Sequence, residues 1–246
     1  MKRKYGNNIE EILKYKGEVE KEIYEIENLE EYTNKLKADS NNLEKQMKEL
    51  CSKMHQIREK TGKVLAEEVQ KDLIDLEMKN TKFKIDINYS ETKEFNENGQ
   101  EQIEFLIMTN IGEDFKPLTK IASGGEMSRI MLAIKNVLSN VDIVPVMVFD
   151  EIDTGISGRA ADKVGIVLKK VAKTHQVICV THLAQIAANA DTHFLIEKSI
   201  RNERTFTNLT KLDYEGRIKE IARIMSGTEM TQNLYNSAKE LLDRSN

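Results

Sequence analysis

VMVFDEID, residues 146–153, is an apolar run that ends on two adjacent acids, Asp150 and Glu151. At the C-terminal end of a buried parallel strand, such side chains reach the crevice in which α/β proteins bind ligands. Adjacent side chains leave a strand in different directions, so one carboxylate can hold Mg²⁺ while the other orients a water. The plainer alternative is that the acids cap the next helix or face solvent. Upstream, SGGEMSR (123–129) opens a helical pattern. A Ser-Gly-Gly turn there presents backbone N–H groups and the positive end of the helix dipole to an anion. Ser123 can add a hydroxyl donor, and Gly124 and Gly125 let a phosphate approach the backbone. Ser123 and Glu126 also have the spacing of a capping box, which by itself needs no ligand. In THLAQIAANAD (181–191), His182 follows another apolar run directly. A neutral imidazole at a strand end can donate to a phosphate or to an attacking water, although a lone His is more often structural.

The elements that must position these residues differ along the chain. Of the first 60 residues 26 are charged, against 52 of the remaining 186. In that first segment apolar residues recur every seven positions, at Tyr5, Ile12, Val19 and Ile26, with Ile9 and Ile23 as companions. The rhythm resumes at Leu36, Leu43, Leu50 and Ile57, with Met47 and Met54. This is a heptad seam, interrupted between Ile26 and Leu36 by a three-residue discontinuity expected to overwind a supercoil locally. A narrow seam cannot bury itself, so a partner helix is implied. Helical spacing continues from Lys63 to Lys79. The period then falls to two at Phe83, Ile85, Ile87 and Tyr89, and again at Ile103, Phe105 and Ile107. With NENG (96–99) between the runs, this predicts a β-hairpin.

Beyond Pro117, helical patterns at 125–138, 157–174 and 183–189 alternate with wholly apolar runs at 143–149, 177–180 and 194–196. That alternation predicts an α/β fold with a parallel sheet covered on both faces. Helices are expected again at 214–225 and 230–242. Cys51 and Cys179 stand 128 residues apart with no ligand-spaced neighbour, which argues against a disulfide framework or a zinc site. No run approaches the roughly 18 apolar residues of a membrane span, so no membrane partner is expected and the chain reads as cytoplasmic. Formal net charge is −4, so contact with a nucleic acid would need a local basic patch. Lys163, Lys169, Lys170 and Lys173 form one such cluster, for which a solvated helix face is the simpler reading.

Taken together and in this order, the three motifs resemble the signature motif, Walker B strand and switch histidine of an ABC-type ATPase, with 27 residues from Ser123 to Asp150 and 32 from Asp150 to His182. LTKIASGGEMSRIMLAI, VFDEIDTGISGRAA and THLAQIAANADTHFLIEK are similar to the C-terminal half of the RecN family, bacterial DNA-repair relatives of the SMC proteins. KRKYGNNIEEIL and the heptads are similar to that family's returning coiled-coil arm. The resemblance implies a return arm at 1–62 and the C-terminal lobe of an ABC/SMC-type ATPase head at 63–246. It implies ATP and Mg²⁺ as cofactors, with Asp150 at the metal, Glu151 as general base and His182 as switch histidine. Asp153 would lie in the D-loop, and Ser123, Gly124, Gly125 and Glu126 would bind nucleotide held by the opposite subunit.

The implied partners are the N-terminal half of the same protein, a second head and DNA, in a nucleoid-associated role in recombinational repair of double-strand breaks. One motif is missing. The phosphate loop GxxxxGK[ST] has no match, because the lone Gly62-Lys63 pair is followed by Val64. The sequence therefore resembles a C-terminal fragment or a truncated gene product, expected to be inactive alone. Two alternatives are a non-catalytic coiled-coil interaction fragment and a transporter ATPase subunit. The latter is disfavoured by the heptads and by the absence of Pro after Glu151.

Overall fold

In the computed structural model, residues 8–90, 95–201, 204–226 and 231–245 are described. Tyr5 of the heptad series and the expected helix start at Met230 lie outside them. Helix α1 runs from Ile9 to Asp75 without a break, through the heptad discontinuity and through Gly62. It stops two turns after Glu68 because Glu77 takes a left-handed conformation (φ 60°), and the Met78 N–H turns back to the Leu73 carbonyl at 2.9 Å. The helical pattern read as far as Lys79 thus ends four residues earlier.

The chain divides into two compact units, Met1–Glu59 with Asn88–Gln102, and Lys60–Ile87 with Ile103–Asn246. In the first, the seam residues Ile9, Ile23, Ile26, Leu36, Leu43, Met47, Leu50 and Ile57 are all exposed. Near Glu59 the helix side chains hold the hairpin tip. His55 Nδ1 lies 2.7 Å from Glu101 Oε1, and Arg58 donates to Glu101 Oε2 at 2.6 Å and to the Asn98 carbonyl at 2.7 Å. The His55 ring stacks on Tyr89 with centroids 4.9 Å apart. The tip is the expected NENG turn, closed by Gly99 N–H to the Asn96 carbonyl.

The hairpin strands are β1 (Lys82–Tyr89) and β2 (Glu101–Met108), and the short β3 (Lys116–Pro117) completes a three-stranded sheet in the order β1-β2-β3. In the second unit there follow α2 (Gly124–Leu138), β4 (Val146–Phe149), α3 (Arg159–Val171), β5 (Gln176–Cys179) and α4 (Ala184–Ala188). β4 and β5 pair in parallel, with Phe149 opposite Cys179. One face of the pair is buried through Met147 and Phe149, packed with Ile130 and Ile134 of α2, Val164 and Leu168 of α3, and Leu73 of α1. The opposite face is open: Val146, Ile178 and Val180 are exposed and Val148 is 65% accessible. The expectation of a sheet covered on both sides therefore holds on one side only.

The run 194–196 is also not a third parallel strand. It starts β6 (Phe194–Arg201), which pairs antiparallel with β7 (Arg204–Lys211), placing Ile196 opposite Leu209. Helices α5 (Tyr214–Ser226) and α6 (Gln232–Ser245) close the chain and bury a second, smaller core of Ile218, Ile221, Ala238 and Leu242 against Ala184 and Ala188 of α4. No helix among the described residues is long and apolar enough to cross a membrane.

Candidate functional site

The residues singled out in the sequence lie in the second unit, on the start of α2, the loop after β4 and the loop after β5. Ser123 is the N-cap of α2, its Oγ accepting the Glu126 N–H at 3.4 Å. The cap is real, and because that bond uses only a lone pair, the exposed hydroxyl keeps its hydrogen to donate. Glu126 adds a negative charge to the first turn, where the dipole favours one.

Gly124 and Gly125 have a structural task that phosphate access alone does not suggest. A Cβ on Gly124 would overlap the Glu151 carboxylate. One on Gly125 would stand 2.8 Å from the Thr154 carbonyl oxygen and 3.1 Å from that of Glu151. The two glycines let the acidic loop lie against the helix start, which brings the first and second motifs together.

Asp150 and Glu151 are both exposed at the end of β4. The Asp150 carboxylate accepts the Glu151 N–H at 2.9 Å, and Glu151 takes a left-handed backbone (φ 56°), a conformation costing an ordinary residue roughly 1–2 kcal/mol.

Asp153 is 3% accessible, and its carboxylate joins the loop after β4 to the loop after β5. Its Oδ2 accepts Thr181 Oγ1 at 2.6 Å and the His182 N–H at 2.7 Å, and it lies 3.0 Å from His182 Nδ1. Thr181 Oγ1 in turn accepts the Leu183 N–H at 3.0 Å. The imidazole of His182, anchored through Nδ1, is 73% exposed and presents its other edge outward.

Cys179 sits beneath these acids. Burial, together with the Asp153 and Asp150 charges, pushes its thiol up to about 12. It is a neutral filler.

Thr181, Ser128 and Arg129 escaped the sequence reading. Ser128 Oγ donates to the Asp150 carbonyl at 2.8 Å, and Arg129 Nη1 donates to the carbonyls of Ile152 (3.2 Å) and Thr154 (2.9 Å). A signal was present, since positions 125, 128 and 129 share one helix face. The basic cluster on α3 and just beyond its end is partly engaged by its own chain: Lys163 pairs with Glu77 at 3.4 Å, and Lys169 donates to the Ser245 carbonyl. Gly62 and Lys63 lie inside α1, where their amides serve the helix.

Two adjacent carboxylates suit Mg²⁺, which takes one or two protein oxygens and completes its shell with water and phosphate. Among the described residues no cluster of three His, Cys, Asp or Glu forms an all-protein cage. The donor set therefore fits a metal that is shared with a ligand.

The fold is that of the Smc head domain with a coiled coil and joint from Pyrococcus yayanosii, with a TM-score of 0.60 over 89% of this chain and 39% of that one, at 20% identity. It defines the class of fold, an SMC-type head domain with part of a coiled coil. In sequence the chain is similar to DNA repair protein RecN. It is 39% identical over 255 residues to RecN of Bacillus subtilis (98% of this chain, 44% of the relative) and 35% identical over 246 residues to RecN of Treponema pallidum (98% and 43%). The chain spans less than half the length of these relatives. No family model matches it. The resemblance carried by the three motifs thus extends along nearly the whole chain.

Proposed function

We propose that this chain is the C-terminal part of a RecN-like ATPase acting in recombinational repair of DNA double-strand breaks in the cytoplasm. Residues 1–62 serve as the returning coiled-coil arm and 63–246 as the C-terminal lobe of the head. The lobe supplies one side of a composite ATP site, which closes when two heads meet. The observation that carries this reading is the convergence, within one unit, of the α2 start, the acidic loop and His182 through the Gly125–Thr154 approach and the Asp153–His182 contact.

In that site Asp150 holds Mg²⁺, directly or through water. The ion supplies charge neutralisation to the phosphates. Glu151, held in a left-handed backbone conformation at the end of β4, takes the proton of the attacking water. His182 faces the terminal phosphate with its exposed edge while Asp153 fixes the ring. Ser123, Gly124, Gly125 and Glu126 form the α2 edge presented to nucleotide on a second head. The N-terminal half contributes the phosphate loop and the outgoing helix, and DNA is the macromolecular partner.

The test is Glu151→Gln in the protein assembled with its N-terminal half. ATP binding and head dimerisation are expected to persist, while turnover falls about 10²- to 10⁴-fold with loss of the base. An unchanged rate overturns the assignment. A second reading, a non-catalytic coiled-coil interaction fragment, is favoured by the placement of Gly62-Lys63 inside α1. It predicts that addition of the N-terminal half restores no ATP turnover.

A further inference from the structure

The backbone of the acidic loop is held by a single helix face. Ser128 binds the carbonyl of Asp150, and Arg129 binds those of Ile152 and Thr154. The remaining carbonyl of that stretch with a close neighbour on α2, Glu151, lies against Gly125. Arg129 is only 6% accessible, its Nε is buried with no hydrogen-bond partner, and burial pushes its guanidinium pKa down. Among the described residues no carboxylate is hydrogen-bonded to it; its partners are the two loop carbonyls. Burying a cation in this way is costly, and a hydrophobic residue of the same length would fill the space without that cost. What the guanidinium adds is a pair of donors fixed in direction. The loop they grip contains Glu151, whose left-handed backbone needs external restraint to persist.

We propose that Ser128 and Arg129 are positioning residues for the acidic loop. They fix the direction of the Asp150 and Glu151 carboxylates and, through Asp153, the seat of His182. The helix that begins at the Ser123 cap thereby sets the geometry of the acids, so a ligand pressing on the start of α2 acts on the acids through two side chains one turn further along. The catalytic consequence rests on the ATPase reading above; the hold on the loop does not.

Two measurements separate these parts. In this chain alone, amide hydrogen exchange by NMR follows Thr154, whose N–H donates to the Glu151 carbonyl at 3.0 Å. Arg129→Met keeps the stem and removes the donors, and Arg129→Lys keeps a cationic donor. Exchange at Thr154 is expected to quicken at least about 10-fold in Arg129→Met and Ser128→Ala and to return to within about 3-fold in Arg129→Lys, with Ile218 in the second core unchanged. Equal exchange in the Met and Lys variants, or no change at Thr154, overturns the proposal, because a space-filling role predicts that result.

In the second measurement the chain is assembled with the N-terminal half. Arg129→Met is expected to lower kcat about 10- to 100-fold with KM for ATP nearly constant, the pattern of misplaced rather than missing groups. Normal kcat in an active assembly overturns the catalytic role. An assembly that is inactive even with the unmodified chain, alongside the expected exchange pattern, refutes the ATPase reading and leaves the hold on the loop established.

Discussion

Gly124 and Gly125 are neighbours with different consequences when a methyl group is added. At Gly125 the new Cβ meets backbone and a β-carbon, the Thr154 oxygen at 2.8 Å and Thr154 Cβ at 2.9 Å, neither of which can swing away. Overpacking of this kind costs about 1–3 kcal/mol, and each kcal/mol lowers Tm by about 2–4 °C in a chain of this size. Gly125→Ala is therefore expected to melt several degrees lower in calorimetry. At Gly124 the obstacle is the far end of the Glu151 side chain, which can rotate. Gly124→Ala should melt close to the unmodified chain yet lose turnover in the assembled protein, because the carboxylate is displaced. Comparing the two variants separates stability from chemistry at adjacent positions.

The same pair shows what was legible at this scale. Residue type and order led to the expectation that Ser123, Gly124, Gly125, Asp150, Glu151 and His182 belong to one site, and the segments that carry them lie in one unit. The use of the glycines for a helix–loop approach, and of Asp153 as the buried seat of His182, depends on contacts between segments 26 or more residues apart, which spacing along the chain does not encode.

Among the elements, those with strong local periodicity were legible and those made by pairing were not. The long helix, α2 and the hairpin announce themselves by heptads, by a capped 3.6-residue pattern and by alternation around NENG. β7 does not: in RTFTNLTK the apolar Phe206 and Leu209 are three apart and the rest is polar, so only its partner β6 makes it a strand. The apolar run at 143–149 is strand only from Val146, because Asp142 binds Lys135 at 2.5 Å and its own Val144 N–H at 3.0 Å, holding the segment before it as a turn.

The junction of the β6–β7 ribbon with α5 carries a prediction of its own. His193, just before β6, bonds through its carbonyl to the Leu212 N–H, and its Nδ1 is buried without a hydrogen-bond partner. Burial, with the Arg217 charge on α5, pushes its imidazole pKa below the ordinary 6.5, and Glu220 only partly opposes this. The unfolded chain therefore takes up its proton first as pH falls. Stability is unaffected well above 6.5 and declines as pH drops below it, until the folded pKa is reached. Thermal unfolding between about pH 7.5 and 5.5 should show this decline, and His193→Gln should flatten it. An identical pH slope in the variant would mean that another group is responsible.

For the molecule as a whole, the exposed apolar surface decides how it behaves alone. In the first unit eight seam residues are exposed, and in the second one face of the β4–β5 pair is bare. Burying the accessible part of each seam side chain is worth about 1 kcal/mol, on the order of 8 kcal/mol in all, while association costs about 4–15 kcal/mol in lost freedom. The seam by itself is thus close to balance, and the sheet face must contribute for a complement to bind tightly. Under the proposed function that complement is the N-terminal half of the protein, which also supplies the phosphate loop. The chain alone is then expected to bind ATP with negligible heat in calorimetry. With the N-terminal half of a RecN relative added, it should form a stable complex, melt at higher temperature and acquire ATP binding. Val148→Asp and Ile178→Asp place charge on the bare sheet face, where little of the chain's own packing is at stake. They should leave the melting of the isolated chain nearly unchanged and abolish the gain from the complement, whereas an undiminished gain would show that this face is not where the complement packs.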